Sequence, residues 1–213
     1  MKRGLVVPLT PAQIVTRALY LAGKATVDDL DEYVRKTDAP RECPTIYYLL
    51  HDHNGGKDPT APDPADRWST VGSSFVNVTC DCSGGNAWMH GFDRYQPQRF
   101  AHIYGGWINT DSKIMDATGK RLCFEIVGDK HGRPEPGAII TCASGSPGHR
   151  IGHEGCVVAY HGVEWDPMER ECWDLIDVVD VSARGAGNRA NLKRTARGWF
   201  GTGAYFLRSV MQP

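Results

Sequence analysis

The sequence predicts an α+β fold, with N-terminal helices packed on an antiparallel β-sheet, and three observations carry that expectation. The first is a strongly signalled helix near the N-terminus. Thr10-Pro11 joins an N-cap residue to a proline at the first helical position, and Ile14, Val15, Ala18, Leu19 and Ala22 then fall on one face. Gly23 can end that helix. The second is a run of strand-like segments in the C-terminal part: Ala138-Ile139-Ile140-Thr141, Ile151 to Tyr160, Trp173 to Ser182 and Ala204-Tyr205-Phe206-Leu207. The third lies between them. Phe75, Val76 and Val78 give way to Ser83, Gly84, Gly85 and Ala87, as where a strand turns into a helix, and Cys82 stands at that junction.

Taken in order, the other elements are weaker. Val27 to Lys36 is acidic and then basic, with Leu30 and Val34 four apart, and reads as a short, mostly exposed helix. From Pro40 to Ser74 the chain changes character. The short apolar run Ile46 to Leu50 is followed by His51-Asp52-His53-Asn54-Gly55-Gly56 and a stretch dense in Pro, Asp and Ala, which is loop. Loops of that length in compact domains are often functional. Cys82 to His90 is a helix, Phe92 to Phe100 a connection, and Trp107 to Asp111 leads into a segment ending near Gly119. Pro134 to Gly137 is a turn, Ser144 to Gly148 a loop, and Gly162 follows the second strand. No internal repeat is visible. The 213 residues are read as one domain, 1–213, with an insertion or lid at about 28–74.

Composition narrows the function classes. The formal net charge is −1, so no global field draws the protein to nucleic acid or a membrane surface. After Asp180 there is no Asp or Glu, but there are Arg184, Arg189, Lys193, Arg194, Arg197 and Arg208. These form either a solvated basic edge or a rim that meets an anionic polymer. Seven cysteines at irregular spacings do not read as a disulfide framework. Met1-Lys2-Arg3 precedes an apolar stretch too short and too soon broken by Pro8 for a signal peptide, and no run approaches transmembrane length. The expectation is cytoplasmic synthesis, no membrane insertion, and export, if any, by another route.

A thiol at the start of a helix can be a nucleophile, because the unpaired N–H groups there stabilise a thiolate. Cys82 has that place, and its own N–H is a natural oxyanion donor. Cys80, two residues upstream, is its competitor but lacks the following small residues that let a substrate approach. A general base should be a histidine on an ordered element. His153 opens the strand Glu154-Gly155-Cys156-Val157-Val158-Ala159, with Gly152 and Gly155 leaving space beside it. His149, His161, His51 and His53 are alternatives in loops or at a strand end. The group that orients the base must accept a hydrogen bond from it. Alternation puts Asp174, Ile176, Val178 and Asp180 on one face of a strand and Asp177 on the other. An aspartate in so apolar a strand is costly without a partner, so Asp180 and Asp177 are both candidates. Cys80 and Cys82 with His149 and His153 could in principle hold zinc. The cysteines are closer together than in zinc knuckles, and Pro147-Gly148 opposes a helix that would pair the histidines, so no metal or other cofactor is expected.

Asp81-Cys82-Ser83-Gly84 resembles the nucleophile motif of the NlpC/P60 cysteine peptidases, papain-like enzymes that cut peptidoglycan. Pro134-Glu135-Pro136-Gly137-Ala138-Ile139-Ile140 is similar to their PGDLV strand, and Gly152-His153-Glu154-Gly155-Cys156-Val157-Val158 to the GHVGIVV segment that carries their histidine. Thr10 to Thr26, Gly55 to Pro59 and Trp107 to Asp111 look like flanks of a phage and bacterial subgroup. The resemblance implies a papain-like fold with Cys82 as nucleophile and His153 as base. Val179-Asp180-Val181-Ser182 resembles the strand carrying the third polar residue, which makes Asp180 that group, an aspartate where the family commonly has His, Asn or Gln. Tyr48 matches a tyrosine that helps the oxyanion site, and Asp81 and Ser83 flank the thiol on the substrate side. Gly85 stands where the family has a large apolar residue, and Glu154 where it has an apolar one; alternation points Glu154 away from the face of His153.

The function so implied is hydrolysis of an amide bond in a cell-wall peptide through a thioester on Cys82, as in a phage lysin or virion-associated hydrolase. The partner would be the peptidoglycan stem peptide, with the basic C-terminal rim against an anionic wall polymer. Two alternatives stand beside it: an inactive papain-like binding or assembly module of a phage tail, and a secreted antibacterial amidase effector. Endopeptidase, amidase and transpeptidase chemistry all fit these residues.

Overall fold

Helix α1 (Pro11–Leu21) starts where the cap chemistry places it. The Gln13 N–H donates to Thr10 Oγ1 at 3.3 Å, and the Thr10 N–H donates to Gln13 Oε1 at 2.8 Å. The computed structural model describes residues 9–32, 47–48, 79–80, 82–92, 103, 106, 108–127, 134–146, 152–167, 170–182, 190–196, 200 and 203–210. The buried face of α1 is rotated from the expected stripe: Arg17, Ala18, Tyr20 and Leu21 are buried, and Leu19 is only partly so. The cause is tertiary. Tyr20 packs on Trp88 with ring centroids 6.1 Å apart, and the Arg17 guanidinium is buried because it donates to Asp31 Oδ2 at 3.0 Å and to the Trp88 carbonyl at 3.2 Å.

The helix expected from Val27 to Lys36 is corrected in its first half. Val27–Asp29 is a single 3-10 turn, closed by Asp29 accepting the Thr26 N–H at 2.7 Å. Leu30 then adopts an extended backbone (φ −74°, ψ 154°) and is buried. Burying that leucine outweighs the weak propensity to continue the helix.

Strands β1 (Tyr47–Tyr48) and β2 (Thr79–Cys80) form a short parallel pair, and helix α2 (Cys82–Met89) follows β2 directly. The expected strand-to-helix junction is therefore present. Helix α2 is buried all round, from Ser83 to Met89. Two glycines in its first turn each cost about 1 kcal/mol relative to alanine, so packing rather than propensity holds it. The segment that ends near Gly119 is helix α3 (Thr110–Thr118). Asn109 caps it by accepting the Ser112 N–H at 2.8 Å, and the buried Asp116 carboxylate accepts the N–H groups of Cys123 and Phe124 at 2.8 Å each.

The remaining strands are β3 (Phe124–Ile126), β4 (Ile139–Cys142), β5 (His153–Asp166), β6 (Glu171–Val181), β7 (Ala190–Ala196) and β8 (Tyr205–Ser209). They form one antiparallel sheet in the order β3-β8-β4-β5-β6-β7. The fold is thus α+β, with three α-helices among the described residues. Both faces of the sheet are covered. Cys156, Val179 and Val181 meet Ala18, Tyr20, Trp88 and Met89 of α1 and α2 on one face. Ile140, Val157, Ile176, Val178 and Phe206 gather round Phe200 on the other. No helix among the described residues is long and apolar enough to cross a membrane.

Three differences from the expected strands have physical reasons. The second strand does not stop at Gly162: β5 runs on to Asp166, and Gly162 (φ 102°) sits within an irregular register between Tyr160 and Val163. A glycine with positive φ marks a bulge as readily as an end. Strand β7 was hidden in the basic stretch, because an edge strand guards itself with Lys and Arg. Only Ala190 and Leu192 signal it; Ala190 is buried and Leu192 packs partly buried beside it in the core. Strand β3 is three residues long, below what a pattern of alternation can show.

Candidate active site

His153 is the first residue of β5, and Gly152 turns the chain into it. Gly152 has φ 44°, and a Cβ there would lie 2.5 Å from Thr110 Oγ1 and 2.9 Å from the Cys142 carbonyl oxygen. Gly152→Ala is therefore expected to cost about 2 kcal/mol, from left-handed backbone strain and a clash with a neighbour that includes main chain. A urea melt checks this, and an unchanged midpoint would refute it.

From β5 the alternation sends Glu154 and Cys156 toward the helices and His153, Gly155 and Val157 to the face of Phe200. The His153 ring stacks on Phe200 at 5.7 Å between centroids and 16° between planes. On β6 the same alternation puts Asp180 on that face, opposite Gly155. The two side chains meet: His153 Nε2 lies 2.6 Å from Asp180 Oδ2. Lys193 on β7 donates to the same oxygen at 2.7 Å. The Asp180 side chain is fully buried, that of His153 is 10% exposed and that of Lys193 is 21% exposed. Burial resists ionisation of Asp180, but the hydrogen bonds and charges of His153 and Lys193 outweigh it and hold the carboxyl below its ordinary value.

Cys82 is the first residue of α2, half-buried and not in a disulfide. Helix α2 packs on β5 and β6, on the face that carries Cys156 and Val179. Ser83 is buried beside the thiol's position in the first turn. Tyr48 is paired in register with Cys80, which brings its backbone alongside the strand that leads to Cys82. Among the other described thiols, burial pushes Cys142 up to about 11 and raises Cys156 further, and Cys123 is also buried. Buried thiols are inert, and of these cysteines only the half-buried Cys82 and the exposed Cys172 are not buried.

Asp81, His51, His53 and His149 lie outside the described residues, as does most of the expected lid at 28–74. The two aspartates lie on opposite faces, and Asp180 is the one that meets His153. Asp177 points the other way, to a surface cluster where Arg194 Nε donates to it at 2.9 Å and His161 Nε2 lies 2.8 Å away. The Arg194 hydrogen bond holds the Asp177 carboxyl low. Glu154, as expected from alternation, does not meet His153. It forms a fully buried ion pair with Lys113 of α3, and Thr141 lies 3.5 Å from its other oxygen.

The sequence did not single out Lys193 or Lys113. Lys193 could have been found from its place on a strand directly beside that of Asp180, had β7 been recognised. Lys113 carries no local signal, because its partner is 41 residues away.

No family model, no curated protein and no solved structure matches this chain.

Proposed function

We propose that the protein is a papain-like thiol hydrolase that cleaves an amide bond in a cell-wall peptide. The observation that carries this reading is the buried His153–Asp180 pair, formed across adjacent strands by the two side chains a thiol mechanism calls for. In the proposed reaction the Cys82 thiolate attacks the peptide carbonyl, with the N-terminal N–H groups of α2 facing the oxyanion. Because His153 Nε2 is committed to Asp180, its Nδ1 would take the thiol proton and return it to the leaving amine. Water then hydrolyses the thioester and the thiol is regenerated. Cys82 and His153 each stand at the first residue of their element, so the dyad would form at the end of the sheet where β5 begins. Tyr48, Asp81 and Ser83 would lie on the substrate side, and the basic C-terminal segment would meet the anionic wall.

The test is mass spectrometry of purified peptidoglycan after digestion. The wild type is expected to release muropeptides whose new termini identify the bond cut, and Cys82→Ala to release none. Equal release by both would sink the mechanism.

One observation favours a second reading, a papain-like module that binds without cutting. Helix α2 is laid on the sheet face opposite the one that carries His153 and Asp180. Iodoacetamide separates the two readings. Selective alkylation of Cys82 well below pH ~8.5 supports the hydrolase. Reaction no faster than at Cys172 supports the binding module.

A further inference from the structure

We propose that Lys193 is a positioning residue of this site, which keeps Asp180 an anion in both protonation states of His153 and so lets the imidazole give up its proton. The inference rests on the hydrolase reading and deepens it. Both side chains converge on one oxygen, Oδ2, at 2.6 Å from His153 and 2.7 Å from Lys193. The other oxygen, Oδ1, is buried with no hydrogen-bond partner among the described residues. A buried carboxylate with His153 as its sole cation would lose its counter-charge each time the ring became neutral. An uncompensated buried charge is strongly disfavoured, so such a pair resists that change and the ring stays protonated.

A thiol hydrolase needs the ring in both forms. As an imidazolium it gives a proton to the leaving amine, and as a neutral base it activates the water that cleaves the thioester. The ammonium on Oδ2 supplies a charge that does not leave during this cycle. It also repels the imidazolium, which again favours release of the proton. The sign is therefore fixed: removing the Lys193 charge makes the His153 ring hold its proton to higher pH.

Among the described residues, the other groups that face His153 do not replace this charge. From β6 comes Asp180. From β4 comes Cys142, directly opposite, whose thiol donates to the His153 carbonyl at 3.5 Å. Beyond it Asp111 of α3 accepts the Ser144 N–H. Phe200 adds a stacked ring without charge. Glu154, next in sequence, is on the opposite face and is neutralised by Lys113.

The test is a histidine-ring NMR titration of the full chain with labelled histidine, the His153 signal being identified by its loss in His153→Gln. Lys193→Met is expected to move the His153 midpoint up by about one pH unit, and Lys193→Arg to leave it near the wild-type position. A ring that only needs a structural neighbour would not distinguish methionine from arginine in this way. An unchanged or lower midpoint in a folded Lys193→Met overturns the proposal. If both Lys193→Met and Lys193→Gln failed to fold, Lys193 would be a structural partner only, and the proposal would also fall. The titration is read whether or not Cys82 cuts anything. Failure of the hydrolase reading shows instead as equal muropeptide release by wild type and Cys82→Ala, with the midpoint shift intact.

Discussion

Lys113→Met is expected to lower the unfolding free energy by about 3–5 kcal/mol, because it leaves the Glu154 carboxylate buried without its counter-charge. Neither side chain of this pair has any exposed surface. The ammonium lies over two aromatic rings, 5.3 Å from the Phe92 centroid and 5.9 Å from that of Phe124, so its surroundings offer little to a replacement water. Glu154→Met should be comparably harmful, since it strands the ammonium instead. The double change Lys113→Met with Glu154→Met should recover most of the loss, because exchanging a whole buried pair for packed apolar groups is often neutral or better. Urea melts of the four proteins give the coupling directly. Single variants within about 1 kcal/mol of wild type would show that the pair is solvated, and additive losses would show that it is not coupled.

That pair also shows where the sequence stopped being legible. Local signals are legible. The Thr10-Pro11 cap placed α1, the change from β-branched to small residues placed α2, and period-two alternation assigned Asp180 and Asp177 to opposite faces. Each of these depends on a few consecutive residues. What escaped depends on partners far away in sequence. The buried stripe of α1 was rotated by Arg17, whose acceptor on α2 is 71 residues distant. Lys193 belongs to a basic run that reads either as a solvated edge or as a rim for an anionic polymer, because an edge strand and a charged loop share a composition. Alternation put Asp180 and Asp177 on opposite faces and left both as candidates, and the family resemblance pointed to Asp180, whereas the lysines beside the carboxylates came from elements with no comparable pattern.

The wild type is expected to lose about 2 kcal/mol of stability between pH 8 and pH 5 through His90 alone, and about 3 kcal/mol by pH 4. His90 closes α2. Its Nδ1 lies 2.9 Å from the Asn86 carbonyl oxygen and its Nε2 lies 3.0 Å from that of Gly137. Burial disfavours its cation. The two carbonyls pull the other way, but the charges of Lys113 and Arg17 add to the effect of burial, and the ring titrates at about 4 rather than 6.5. In the folded protein the ring therefore stays neutral between those values while the unfolded chain takes up a proton. The unfolded state binds more protons across that window, so stability is fully present above pH ~6.5 and falls until pH ~4. His90→Gln should be less stable than wild type at pH 8, because the smaller, more flexible side chain does not fill the buried place of the ring. It should also lose less on acidification, since it has no proton to gain, and the two stability curves should converge toward pH 4. Chemical melts of both proteins at half-unit intervals measure this, with the other histidines common to both. Curves that stay parallel from pH 8 to pH 4 would mean that His90 takes up its proton in the folded protein as easily as in the unfolded one.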